Sequence, residues 1–235
     1  MRKAAWLPAS RDVAILSAMV KKLVVLAVSS HGPPTSVVIS YPALLGLCQE
    51  DITDTGLYLN LPVLPGAHHY PPREMVAAYA GHSMGLCKTF HDMKKCRTEG
   101  QELPVSRVLL VEYTEAALLL HTAIMSKATD LAYDNIEIAV TFELGSKEGR
   151  EAVIREFVLQ FLRRRLYNGS TDATSRIKVI MTGSLDDRSN GDVRKAVEAA
   201  VMDMGWTAEI FASLPEFIAA RGAAELAWRC LAPIV

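Results

Sequence analysis

The chain has 235 residues, of which 50% are hydrophobic and 22% charged, and its formal net charge is −1. That composition is of a folded chain long enough for one large domain or two small lobes, and it excludes wholesale disorder. Acidic and basic residues are intermixed, so no electrostatic footprint for nucleic acid or an anionic membrane stands out.

Val13 to Val28 carries apolar residues on helical spacing, with Lys21 and Lys22 in its middle. The two lysines interrupt the apolar run that a membrane span or a secretory signal needs, so the sequence predicts neither and points to a cytoplasmic or nuclear chain. The sequon Asn168-Gly169-Ser170 then has no compartment that would use it. After the His31-Gly32-Pro33-Pro34 turn, the run Val37-Val38-Ile39-Ser40 predicts a buried strand ending before Pro42. Leu44 to Leu57 resumes a helical pattern, Leu61 to Pro72 is a proline-punctuated loop, and Met75 to Lys95 predicts a second helical stretch.

A strand is predicted at Val108 to Tyr113. Ala116 to Thr129 reads as a helix or as a strand turning into one, Ile136 to Phe142 alternates as a strand, and Lys147 to Tyr167 is a long amphipathic helix. Within that helix, Arg163-Arg164-Arg165 reads as a solvated end. Asn168 to Ser175 is a polar loop, and the strand Ile177 to Met181 runs into Thr182-Gly183-Ser184. Helices are predicted at Asp192 to Met204 and Pro215 to Leu231. Helices between strands must cover sheet faces, which gives a layered α/β architecture. The polar stretch Arg97 to Ser106 would tolerate a boundary, dividing the chain into lobes at 1–105 and 106–235. Four cysteines without a close pair fit reduced thiols better than a disulfide framework.

Gly81-His82-Ser83-Met84-Gly85 satisfies the pattern of the nucleophile elbow of α/β hydrolases, and His31-Gly32 imitates the oxyanion loop before it. An elbow needs a strand immediately before the serine, whereas Glu74 to Ala80 reads as helix. The base should also follow late in the chain, yet Thr122 to Val235 contains no histidine. The expectation is that Ser83 is not a nucleophile, with a serine hydrolase kept as an alternative. His82, Cys87, His91 and Cys96 are zinc-ligand types, but on one continuous helix only Cys87 and His91 share a face, so no metal site is predicted. His68-His69 in the proline-rich loop reads as an exposed pair.

Taken in order, Asp12 to Val28, Val37-Val38-Ile39-Ser40-Tyr41-Pro42 and Asp51 to Leu57 resemble a stretch of the ATPase domain of seventy-kilodalton heat-shock chaperones: helix, strand ending in proline, helix. Val76-Ala77-Ala78-Tyr79-Ala80-Gly81 resembles the alanine-rich helix that follows, and Ile177 to Gly183 the adenosine-side strand and turn. Ala219-Ala220-Arg221-Gly222-Ala223-Ala224-Glu225-Leu226-Ala227 resembles the closing helix. Gly85-Leu86-Cys87 is similar to a sequence common in divergent fungal members. The resemblance implies a partial, two-lobed fold of the actin-like ATPase superfamily, with a nucleotide cleft between lobes.

Departures from that family set the expected chemistry. The opening strand-turn-strand with its first phosphate loop is missing. At the second phosphate loop Glu112-Tyr113-Thr114-Glu115 stands where the family carries an acidic residue and glycines, which let backbone N–H groups approach phosphate. By resemblance, Glu112, Thr114, Gly183 and Ser184 are the residues that would meet ATP or ADP; no residue is assigned to catalysis or to a metal. Phosphoryl transfer needs metal, phosphate positioning and an oriented water together. The expectation is a chaperone-like pseudoenzyme, non-catalytic or weakly nucleotide-binding, acting through a protein partner or self-association. The alternative to it is an ATPase completed by another chain. Neither nucleic acid nor membrane is expected as a partner, and the missing strands predict an open sheet edge prone to pairing.

Overall fold

Ser10 starts the first helix: its hydroxyl accepts from the Val13 N–H at 3.1 Å, and α1 runs unbroken over Arg11–His31 to Gly32. The computed structural model describes residues 7–44, 46–64, 71–128, 137–144, 151–166, 176–184 and 187–231. Along α1 the side chains of Ile15, Met19, Leu23 and Leu26, a stripe at helical spacing, are each more than half exposed. By length and composition α1 is apolar enough to cross a membrane, with mean hydropathy 1.9 over an 18-residue window of which 11% is buried. The expectation that Lys21 and Lys22 would break such a run is therefore not met: two cations on one continuous helix leave the window's mean hydropathy high.

Val37 to Ser40 does not form the predicted buried strand. Val37 and Tyr41 make single parallel bridges to Val63 and Arg73, and the residues between them are half-buried. The partner segment explains this. Pro62 and Pro72 accept from the Val37 and Tyr41 N–H groups, at 3.0 and 3.3 Å, but have no N–H of their own with which to extend a ladder. α2 spans Gln49–Tyr58 and packs against α1.

The predicted helix over Met75 to Lys95 is two helices. α3, Glu74–Gly81, is buried from Met75 onward, and α4, Met93–Glu102, starts afresh on the Asp92 carboxylate, which accepts from the Lys94 and Lys95 N–H groups. Cys87, between the two helices, and Cys96, in the first turn of α4, form a disulfide with Cα atoms 5.2 Å apart, which overturns the expectation of reduced thiols for these two. The zinc argument changes with it. The four residues do not lie on one helix, two of them are bonded to each other, and no cluster of metal-ligating side chains occurs among the described residues.

The second half builds the sheet. β1 (Ser106–Tyr113), β2 (Leu118–Met125) and β3 (Glu137–Thr141) form an antiparallel meander, and β4 (Arg176–Thr182) and β5 (Thr207–Phe211) add in parallel on the other side of β1. The order is β3-β2-β1-β4-β5. Leu118–Met125 is strand throughout, where helix was one of two readings, because β1 and β3 both pair with it and tertiary pairing overrides its alanine and leucine content. β5 had no counterpart in the sequence reading. Three of its five residues are half-buried and two exposed, so it carries little apolar signal.

α5 (Glu151–Leu166) and α6 (Asp187–Asp203) cover one face of the sheet, where Ile154, Val158, Leu162, Val193 and Val197 pack with Leu109, Val111 and Val179. α3 and α7 (Ile218–Leu231) cover the other, where Met75, Tyr79, Ile218 and Leu226 meet Val108, Leu110 and Ile180. The result is a three-layer mixed α/β body. The predicted loop at 168–175 and the pair His68-His69 lie outside the described residues.

Candidate functional site

β1 is the strand at which the sheet changes sense: β2 runs antiparallel on one side of it and β4 parallel on the other. In open α/β sheets the crevice beyond the carboxyl ends of such neighbouring strands is the usual ligand position. Here the register sets Glu112 of β1 opposite Thr182 of β4, and the first turn of α3 brings Glu74 to both. Burial, then the charge of Glu112, pushes the Glu74 carboxyl up to about 8. Burial also raises Glu112, while a hydrogen bond with Glu74 opposes that rise. At neutral pH Glu74 therefore keeps its proton, shared in the hydrogen bond between the two carboxyls. Thr182 Oγ1 is buried without a partner at full hydrogen-bond geometry, yet it lies close enough to the Glu74 carboxyl to favour its ionised form slightly.

His121 on β2 sits beside Leu110, on the same face of the sheet. It is fully buried, and neither ring nitrogen has a hydrogen-bond partner. Burial, with the positive charge of Arg73 adding to it, lowers its pKa to about 4, so the ring is neutral in ordinary buffers. Glu74, Thr182, His121 and Arg73 were missed as site residues by the sequence. Arg73 and Glu74 come from the start of α3, Thr182 from β4 and His121 from β2, so only the sheet pairing together with the docking of α3 brings them towards Glu112.

The sequence-predicted residues are arranged as follows. Thr114 closes the β1–β2 turn on itself: its N–H donates to the Ala117 carbonyl at 2.9 Å, and its hydroxyl accepts from the Ala116 and Ala117 N–H groups at 3.3 and 3.2 Å. Gly183 has φ +116°, and a Cβ there would collide with the Tyr113 carbonyl. Its N–H donates to the Pro215 carbonyl at 3.3 Å. Glycine is thus required at 183 by the close approach of β1. Ser184 is exposed beyond it.

A triphosphate with its metal, which the family resemblance implies, does not fit these groups. The N–H groups that a phosphate loop would aim outward are held by Thr114, and the Gly183 N–H is held by Pro215. The Glu74–Glu112 pair, with the exposed carboxylate of Glu115 at the same turn, would repel an anion.

Gly81 to Gly85 is a helix terminus. The Ser83 N–H donates to the Ala80 carbonyl at 2.8 Å and the Met84 N–H to the Tyr79 carbonyl at 3.1 Å, the paired closure of a Schellman motif. Ser83 occupies its left-handed position at φ 59°. It follows a helix, as its sequence context predicts, and not a strand. Replacing Ser83 by glycine should raise stability by about 0.5–1 kcal/mol, since glycine adopts positive φ freely. A fluorophosphonate probe should leave the protein unlabelled. Stoichiometric labelling that disappears in Ser83→Ala would overturn the assignment.

Fold and site together define a mixed α/β domain with an acid pair at the ends of its central parallel strands. No protein-family model matches the chain, and no curated protein sequence does. Among solved structures, RuvC of Thermus thermophilus is similar over 45% of this chain and 63% of its own, at 14% identity and a TM-score of 0.29. The same protein with a Holliday junction substrate gives 46%, 66%, 14% and 0.29. The aligned part is less than two thirds of either RuvC chain. Ethanolamine utilization protein EutJ from Carboxydothermus hydrogenoformans is similar over 91% of this chain and 74% of its own, at 11% identity and a TM-score of 0.47. These likenesses are too loose to define a family, and the α/β class rests on the sheet and layers described above.

Proposed function

We propose that this chain is a non-catalytic module of the actin-like ATPase superfamily, chaperone-like in descent, which acts through protein contacts. The observation that carries this reading is the β1–β2 turn. Its N–H groups are spent on Thr114, and a proton-sharing carboxyl pair lies where phosphate charge would have to be received. Phosphoryl transfer depends almost wholly on electrostatic positioning, so losing it removes turnover. Purified protein at saturating Mg-ATP should release no phosphate above background and show at most a small thermal shift with ATP or ADP. Sustained release that is abolished by Glu112→Ala would overturn the reading.

The contact surface in this proposal is α1. Ile15, Met19, Leu23 and Leu26 form a continuous apolar stripe facing outward, larger than isolated surface leucines require. Self-association through that stripe should appear in sedimentation as a mass that rises with concentration, and Leu23→Glu with Leu26→Glu should return it to the monomer. A wild-type monomer across the whole concentration range would remove self-association from the proposal.

A further inference from the structure

A concavity lies away from the strand ends, between residues 85–103 and the last turns of α7, with a volume of about 370 Å³. Its walls are apolar: Leu86, Phe90, Met93, Leu103 and Leu226, with the Cys87–Cys96 disulfide beside them. The volume is in the range of small-molecule sites, which combine apolar walls with a few polar groups that fix orientation. The charged groups here are all cationic. Arg97, Lys127 and Arg229 line the pocket and, among the described residues, no aspartate or glutamate does.

Arg229 is already committed. Its guanidinium meets Glu225 at 2.7 Å, donates to the Cys87 carbonyl at 2.7 Å and stacks over Phe90 at 4.6 Å, so it builds the wall and its charge is answered. Lys127 differs. Its stem crosses Gly100 so closely that a Cβ there would stand 3.1 Å from Cε and 3.5 Å from Nζ, which carries the ammonium over α4 to the pocket. The side chain is half-buried, and no carboxylate of the described residues pairs with it or with Arg97. A partly desolvated ammonium gains most from an anion held at short range, and the apolar walls below it reward a hydrocarbon tail.

We propose that this pocket binds a small apolar carboxylate, an acid whose alkyl or aryl tail fills the space under Phe90 and Leu226 while its carboxylate pairs with Lys127. Arg97, exposed at the rim, adds attraction without fixing position. The proposal is independent of the strand-end site and stands whether or not nucleotide binds there.

Titration with 4-phenylbutyrate and with its neutral analogue 4-phenylbutanol, followed by calorimetry, is the test. The acid should bind saturably, and the alcohol about tenfold more weakly, the usual size of one hydrogen-bonded charge. Lys127→Met should weaken the acid by about tenfold and leave the alcohol unchanged; Arg97→Gln should cost the acid less. Raising the salt concentration on wild-type protein should weaken the acid alone, a readout that survives if Lys127→Met fails to fold. Equal binding of acid and alcohol by the wild type would mean an apolar site without anion selectivity, and no binding of either at millimolar concentration would mean no site. Both results overturn the proposal.

Discussion

Replacing Glu74 by glutamine should raise thermal stability at pH 8 and leave it unchanged near pH 4. Glu74 holds its proton up to about pH 8 in the folded chain, against an ordinary value of 4.5 when unfolded. Between those values the folded state binds more protons than the unfolded one, so stability falls as pH rises. The contribution of this group is complete below pH 4.5 and lost as pH passes through 8. Each pH unit of that window is worth about 1.4 kcal/mol. Partial solvent access to the pair brings the total to about 2–3 kcal/mol.

Glutamine keeps the shape of Glu74 and can donate to Glu112 without ever becoming charged, so the variant should decline less than wild type across the window, what remains coming from the burial of Glu112. Melting temperatures at half-unit pH steps from 4 to 9 would show it. A variant that loses stability by the same amount at every pH would sink the idea, because the pair would then be held by something other than a shared proton, such as a bound cation.

The second large effect is expected at Gly222. α3 and α7 cross with their backbones touching: a Cβ on Gly222 would collide with the Ala77 carbonyl, and a Cβ on Gly81 with the Ile218 carbonyl. No rotamer relieves such a clash, since the obstructing atoms are main chain. Gly222→Val should cost about 3 kcal/mol or more, at or beyond the upper end of ordinary overpacking, and Gly222→Ala should lose most of the same amount. Leu226 and Ile218 would be levered off the sheet with the helix, opening the core around Met75, Tyr79 and Leu110. Gly191 in α6 provides the contrast, as nothing lies within 4 Å of its missing Cβ. There Gly191→Ala should stabilise by about 0.5–1 kcal/mol through helix propensity. Chemical denaturation of the three variants decides the matter. A Gly222→Ala protein as stable as wild type would show that the helices can separate without loss.

Elements whose own residues carry enough signal were legible without the fold. α1, α2, β1, β3, α5, β4, α6 and α7 follow from apolar spacing or β-branched runs, and the helical context of Ser83 followed from the alanines before it. The α/β class rests on that alternation. Where an element depends on a neighbour, the residues alone decided less. Val37 to Ser40 is as β-branched as β4, but its partner is interrupted by prolines; Leu118 to Met125 opens on three leucines, but two strands hold it extended. The Cys87–Cys96 bridge needed the break after Gly81, which a Schellman closure makes at a serine in place of the usual glycine.

The site divides the same way. Glu112 and Gly183 stood out by their place in a motif, while Glu74 and His121 have ordinary neighbours in the chain. Charge repulsion and burial act through space, so the shared proton of Glu74 and Glu112 exists only once β1 pairs with β4 and α3 closes over the face that both present. For the same reason, Thr114 reads in the sequence as a substitute for a phosphate-loop glycine. Only the hairpin decides that its hydroxyl turns inward to hold the two N–H groups that would otherwise face a ligand.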